Sequence, residues 1–168
     1  MKPIREAAGQ DLQWTRVKWG KREFELRSGD EVLARLYAQK GTRSRISEAA
    51  DGQWAFKRRS FWNADIVVTE VASQAEIAVV KRGRKKSLTF SDGRLLTLKK
   101  TSFWRNEWAW LNDEEAPLIH FQRSKHLLIE PSALALPELS LLVILGWHLI
   151  VLQQEEDAAA SAAVAASV

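Results

Sequence analysis

The run from Leu139 to Leu152 constrains this chain more than any other feature. Its 14 residues are apolar except Ser140, Gly146 and His148. Leu, Val and Ile fall on every side of a helical projection, so a helix here has no polar face. Such a helix belongs in a protein core or in a membrane. Pro137 in the first helical turn and Glu138 beside it mark its start. At 1.5 Å per residue the run spans about 21 Å, against roughly 30 Å of bilayer hydrocarbon. Glu138 blocks extension backwards, and Gln153, Gln154, Glu155, Glu156 and Asp157 block it forwards, with no Lys or Arg on that side as an anchor. The expectation is a core helix at about 137–155 and no transmembrane span.

A core helix needs a surrounding wall, and the rest of the chain reads as strands. Short alternating segments recur about every ten residues, separated by turn residues such as Gly20-Lys21, Ser28-Gly29-Asp30 and Lys40-Gly41-Thr42. Leu12–Trp19 changes phase midway, which suggests a bulge or a switch of face. Asp51-Gly52 and Asp92-Gly93 are the strongest hairpin signals, read as type I′ turns with both central residues at positive φ. Twelve candidate strands precede Pro131, and none shows helical periodicity. Lys57-Arg58-Arg59-Ser60-Phe61-Trp62 also matches Lys99-Lys100-Thr101-Ser102-Phe103-Trp104 at an offset of 42. Around these copies Trp54 and Phe56 correspond to Leu96 and Leu98, Ile66 and Val68 to Trp108 and Trp110, and Ile77 and Val79 to Ile119 and Phe121. The unit is about four strands, with residues 12–50 a poor first copy. A propeller has a similar period, but three blades are too few and leave the last helix without a place.

The expected fold is therefore mostly β: a closed antiparallel barrel of about twelve strands, built of repeated hairpins around the central C-terminal helix. A twelve-stranded barrel is too wide for strand side chains to fill, and the helix solves that packing problem. The expected organisation is a flexible N-terminal arm over 1–11, the barrel over 12–156 and an Ala-rich flexible tail over 157–168.

Composition removes several chemistries. With no Cys there is no disulfide, thiolate nucleophile or Cys-ligated metal. Met1–Gln10 lacks the apolar core of a secretory signal. His120 and His126 lie on adjacent strands without a third ligand, and His148 sits inside the apolar helix as a core residue. No phosphate loop, nucleophile elbow or catalytic carboxylate pair is legible. The expectation is no enzyme activity, no cofactor and no metal.

Charge is distributed unevenly. All 25 Lys and Arg lie between Lys2 and Lys125, a stretch that carries +9, and the remainder carries −5. The plain reading is a solvated surface, and the functional one a patch that meets a polyanion. The split also suggests that Glu155–Asp157 folds back over the basic body. Lys81, Arg82, Arg84, Lys85 and Lys86 form the densest cluster, around a hairpin turn. Trp62 and Trp104 each follow basic residues, Arg58-Arg59 in one copy and Lys99-Lys100 in the other. An indole beside cations suits a membrane interface, where the ring sits at headgroup level and the cations meet phosphate. The same set suits a single-stranded nucleic-acid platform, or merely caps the barrel.

Twelve strands, a hairpin repeat and a final buried apolar helix resemble the tubby C-terminal-like superfamily, which includes tubby proteins, LURP-one-related proteins and phospholipid scramblases. The resemblance covers roughly Leu12–Gln154 and rests on architecture and on the Lys-Arg/Lys-x-Ser-Phe-Trp pattern. It implies binding of phosphorylated lipid headgroups by basic residues on the barrel. Scramblase-type palmitoylation does not carry over to a chain without Cys, and Asn112-Asp113-Glu114-Glu115 lacks the alternating oxygen ligands of a calcium loop. The function expected is a non-catalytic module that contacts an anionic membrane surface or phospholipid through its basic loops. A protein-interaction scaffold and a nucleic-acid module are the alternatives. The expected location is the cytoplasm, peripheral to the membrane.

Overall fold

Consecutive strands pair with their sequence neighbours around a complete circle. The computed structural model describes residues 1–123 and 125–167. Its strands are β1 (Leu12–Arg16), β2 (Phe24–Ser28), β3 (Glu31–Ala38), β4 (Arg45–Ala49), β5 (Gly52–Arg58), β6 (Ile66–Glu70), β7 (Glu76–Lys81), β8 (Lys86–Phe90), β9 (Leu95–Ser102), β10 (Glu107–Leu111), β11 (Pro117–Gln122) and β12 (His126–Ile129). They form one closed barrel, and β1 meets β12 antiparallel at Leu12↔Leu127 and Gln13↔His126. Because every neighbour is antiparallel, successive turns alternate between the two ends of the barrel. Closure leaves no strand edge exposed.

The helix α1 (Leu139–Ala166) fills the barrel, and every residue from Leu139 to Val151 is buried. It enters at one end, where Ser140 Oγ donates to Asp51 Oδ2 at 2.9 Å and Arg94 pairs with Glu138. Gly146 lets it press against the wall. A Cβ there would lie 2.6 Å from Trp110 Nε1, the group that donates to Leu142 O at 2.8 Å. Trp147 stacks on Trp14 at 5.6 Å and meets Phe24 edge-on. Among the described residues no helix is long and apolar enough to cross a membrane.

Four details differ from expectation. The helix does not stop at about 155 but continues through Ala158–Ala166, since alanine favours a helix already nucleated by a packed segment. Residues 1–11 are more than an arm. A short 3-10 turn at Ile4–Ala7 buries Ile4 and Ala7 against the core where α1 enters. The β4–β5 turn has Ala50 and Asp51 at its centre, because Ala49 pairs with Gly52. Gly52 is not at positive φ, unlike Gly93 at 91°. The repeat slips by one residue in its third strand, where Ala78 and Val80 point inward instead of Ile77 and Val79, opposite a bulge at Val68/Thr69.

Candidate functional site

The two ends of the barrel carry opposite charge. Turns β1–β2, β3–β4, β5–β6, β7–β8, β9–β10 and β11–β12 all lie at the end where α1 leaves. Together they hold twelve Lys and Arg against two acids, Glu23 and Asp65. The segments at the other end, including 1–11 and 130–138, hold ten acids and three bases, Lys2, Arg5 and Arg94. The asymmetry therefore runs along the barrel axis, whereas the sequence shows only a basic body followed by an acidic tail.

The same basic end bears aromatic rings in water. Trp62 is 91% exposed and Trp104 is 94% exposed, on turns four strands apart. A third ring completes the set. Trp19, on the β1–β2 turn another four strands back, is 97% exposed. Trp19 precedes Trp62 by 43 residues, and Trp62 precedes Trp104 by 42, so the poor first copy of the repeat does preserve this position. Phe61 and Phe103 stand beside two of the rings in edge-on contacts, at 5.0 and 6.1 Å. Three indoles thus ring the basic end at intervals of one third of the strand circuit.

The basic residues singled out from sequence divide into two groups. Lys81, Arg84, Lys85 and Arg59 are exposed, and Lys85 leans along the wall to Glu115 at 4.0 Å. Lys99 faces outward on β9, opposite Ala109, with inward Leu98 and Trp110 paired beside it. The others turn into the structure. Lys86 is 1% exposed, the reverse of a surface contact. Its Nζ donates to Gln153 Oε1 at 2.8 Å and lies 5.2 Å from the Trp108 ring. Burial, then Arg82, lowers the Lys86 pKa from the usual lysine value, and Glu156 and Asp157 oppose that shift. Lys100 also points inward, with its Nζ 4.8 Å from the Phe103 ring and 5.7 Å from Trp108. Arg82 pairs with Glu156 at 2.7 Å, whereas Arg58 stays exposed and donates to Phe61 O at 3.2 Å. For Lys86 and Lys100 the inward turn follows from strand alternation, which puts them in phase with buried Leu88 and Leu98.

The helix end supplies the counter-charge at the mouth. Glu155 pairs with Arg22 at 3.5 Å, while Glu156 pairs with Arg82. Arg45 is 7% exposed and donates from Nη1 to Arg22 O at 2.9 Å. Burial is the main cause of its lowered pKa, with Arg22 adding to it and Glu155 opposing. His148 stacks on Phe56 at 5.2 Å beneath this group. Burial, then Arg45 and Arg82, pushes its pKa down to about 3, so the ring is neutral near pH 7. His120 Nε2 lies 2.8 Å from Glu130 Oε1, and His126 meets Asp11 at 3.6 Å, so the two rings serve different acids.

Fold and site together define a class: a helix-filled, twelve-stranded β-barrel with one cationic end crowned by aromatic residues. No family model matches this chain, and no curated protein or solved structure matches it either.

Proposed function

We propose that this protein is a non-catalytic binding module that docks its cationic end on an anionic membrane surface. The tubby-like kinship is part of the proposal, and the barrel around a buried helix supports it. One observation carries the reading: three Trp, each more than nine-tenths exposed, stand on turns four strands apart at the end that holds twelve Lys and Arg. An exposed indole forgoes roughly 1.5–3 kcal/mol of burial, and that gain is recovered when the ring enters a headgroup layer. Each base near an anionic surface adds about 1 kcal/mol. Three contact points fix the orientation of a barrel on a plane, which a single ring would not do. The segment Ala158–Ala166 leaves through the same end, exposed and without charge, so it faces the surface without opposing insertion.

Flotation with vesicles tests this. The protein should float with phosphatidylserine vesicles at low salt, float less as salt screens the charges, and stay behind with neutral phosphatidylcholine. Absence of flotation with anionic vesicles at low salt would refute the reading. Binding to single-stranded nucleic acid in its place would assign the crown to base stacking.

A further inference from the structure

A cavity of about 470 Å³ opens at the cationic end beside the emerging helix, and five arginines line it: Arg22, Arg43, Arg45, Arg58 and Arg82. We propose that this cavity binds a small phosphate monoester, and that Glu156 is the resident counter-ion which the ligand displaces. The inference stands without the membrane reading, because it concerns a cavity that a soluble ester can also enter.

Charge is the first argument. Five guanidinium groups face one space that a single carboxylate, Glu156, also lines. Like charges so placed repel in proportion to their burial, and Arg45 is almost wholly buried. An anion with two negative charges relieves more of that repulsion than one carboxylate does. Hydrogen bonding is the second. Arg82 Nε is buried and has no partner, although Nη1 of the same side chain holds Glu156. A buried charged donor left unpaired costs free energy until an acceptor arrives. A tetrahedral phosphate offers enough oxygens for several planar guanidinium forks, which a carboxylate does not.

Shape is the third argument. The volume falls in the range of small-molecule sites, and the floor is apolar: Phe56, Ile66 and Leu152, with neutral His148. A phosphate at the arginines would therefore carry a carbon skeleton against that floor. Five different segments supply the arginines: the β1–β2 and β3–β4 turns, β4, β5 and the β7–β8 turn. The cluster is a product of barrel closure and no local run of the chain contains it.

The test is calorimetric titration at low ionic strength with fructose 1,6-bisphosphate, glycerol 3-phosphate and pyrophosphate, with fructose as the uncharged control. Fructose 1,6-bisphosphate or glycerol 3-phosphate should bind saturably, and fructose should not. Arg43→Ala and Arg58→Ala alter exposed residues on the lip and should each weaken binding roughly tenfold or more, with circular dichroism unchanged. Glu156→Gln should strengthen binding severalfold, and Trp19→Ser should leave it as it was. No saturable binding by either phosphate ester, with or without binding of pyrophosphate, overturns the proposal, as does undiminished binding by the Arg43→Ala/Arg58→Ala double variant. Vesicles containing phosphatidic acid, matched in charge to phosphatidylserine vesicles, identify the source of the phosphate. A preference for phosphatidic acid that the double variant loses places the phosphate on a lipid, and equal binding places it on a soluble ester. Titration without vesicles and flotation on phosphatidylserine fail independently, so the cavity and the docking surface are judged separately.

Discussion

The end of the barrel where α1 leaves carries twelve bases and three exposed Trp. The end where α1 enters carries ten acids, three bases and, among the described residues, no exposed aromatic ring. The same strands run to both ends, and the same helix passes between them. At the acidic end the polar groups are used to seat the helix: Asp51 holds Ser140, and Arg94 bridges Asp92 and Glu138. At the basic end most of the charge faces outward or into the arginine cavity, with Glu155 and Glu156 as partial partners. The contrast shows how such a barrel divides its work. Inward residues are bound by packing, and turns are free to differ, so the two ends can carry different charge on one framework.

The comparison depends on the core that both ends share. Leu145→Asp places an unpaired charge among fully buried residues, a cost of several kcal/mol against a stability of about 5–15. The chain should lose its cooperative melt and its near-ultraviolet dichroism. A folded variant would remove the helix-filled barrel from consideration.

Next in size is the crown itself. Replacing Trp19, Trp62 and Trp104 together with Ser should weaken vesicle binding by about tenfold per ring, measured by flotation or co-sedimentation, with the thermal melt unchanged. A single Trp→Ser that abolishes binding would point to one pocket instead of a three-point contact.

Acid should destabilise the fold in part through His148. The folded pKa of His148 is about 3, below its ordinary 6.5, so the unfolded chain takes up a proton that the folded chain refuses. The stability this residue contributes is complete above pH 6.5 and falls by about 1.4 kcal/mol per pH unit as pH drops towards 3. Urea denaturation at pH 7.0 and 4.5 should show a smaller difference for His148→Leu than for the native chain. An equal difference would mean that His148 has no part in the acid sensitivity.

Moving charge between ends separates location from net charge. Arg84→Ser with Lys85→Ser should cost vesicle binding about 1 kcal/mol for each base lost. Asp113→Lys with Glu114→Lys raises the net charge at the far end, and flotation should respond far less. An equal response at both ends would reduce the axial asymmetry to a general electrostatic effect. The smallest effect belongs to the far end's own ion pair. Arg94→Ala should lower stability by about 0.2–1 kcal/mol, because the pair is partly in solvent, and should leave vesicle binding unchanged.

Much of this was legible in the residues. The all-round apolarity of Leu139–Leu152 specified a core helix, and strict alternation between turn residues specified twelve strands, because burial on one face imposes a period of two. Trp62 and Trp104 stood out through the repeat. Trp19 was missed, although its spacing of 43 from Trp62 and its flanking Lys18 and Lys21 were a readable signal. Lys86 was misread as a surface residue because a charged run gives no hint of which member alternation turns inward.

The arginine cavity had no such signal. Arg22, Arg43, Arg45, Arg58 and Arg82 are spread over 60 residues and share no motif. Periodicity and turn chemistry are local, so they survive in a linear reading, and they were enough for the hairpins, the helix and the closed barrel. The axial separation of charge, the threefold placement of Trp and the convergence of arginines on one mouth arise from how strands register around a closed circle. Twelve antiparallel strands put alternate turns at one end, and closure around α1 then brings turns far apart in sequence to one mouth.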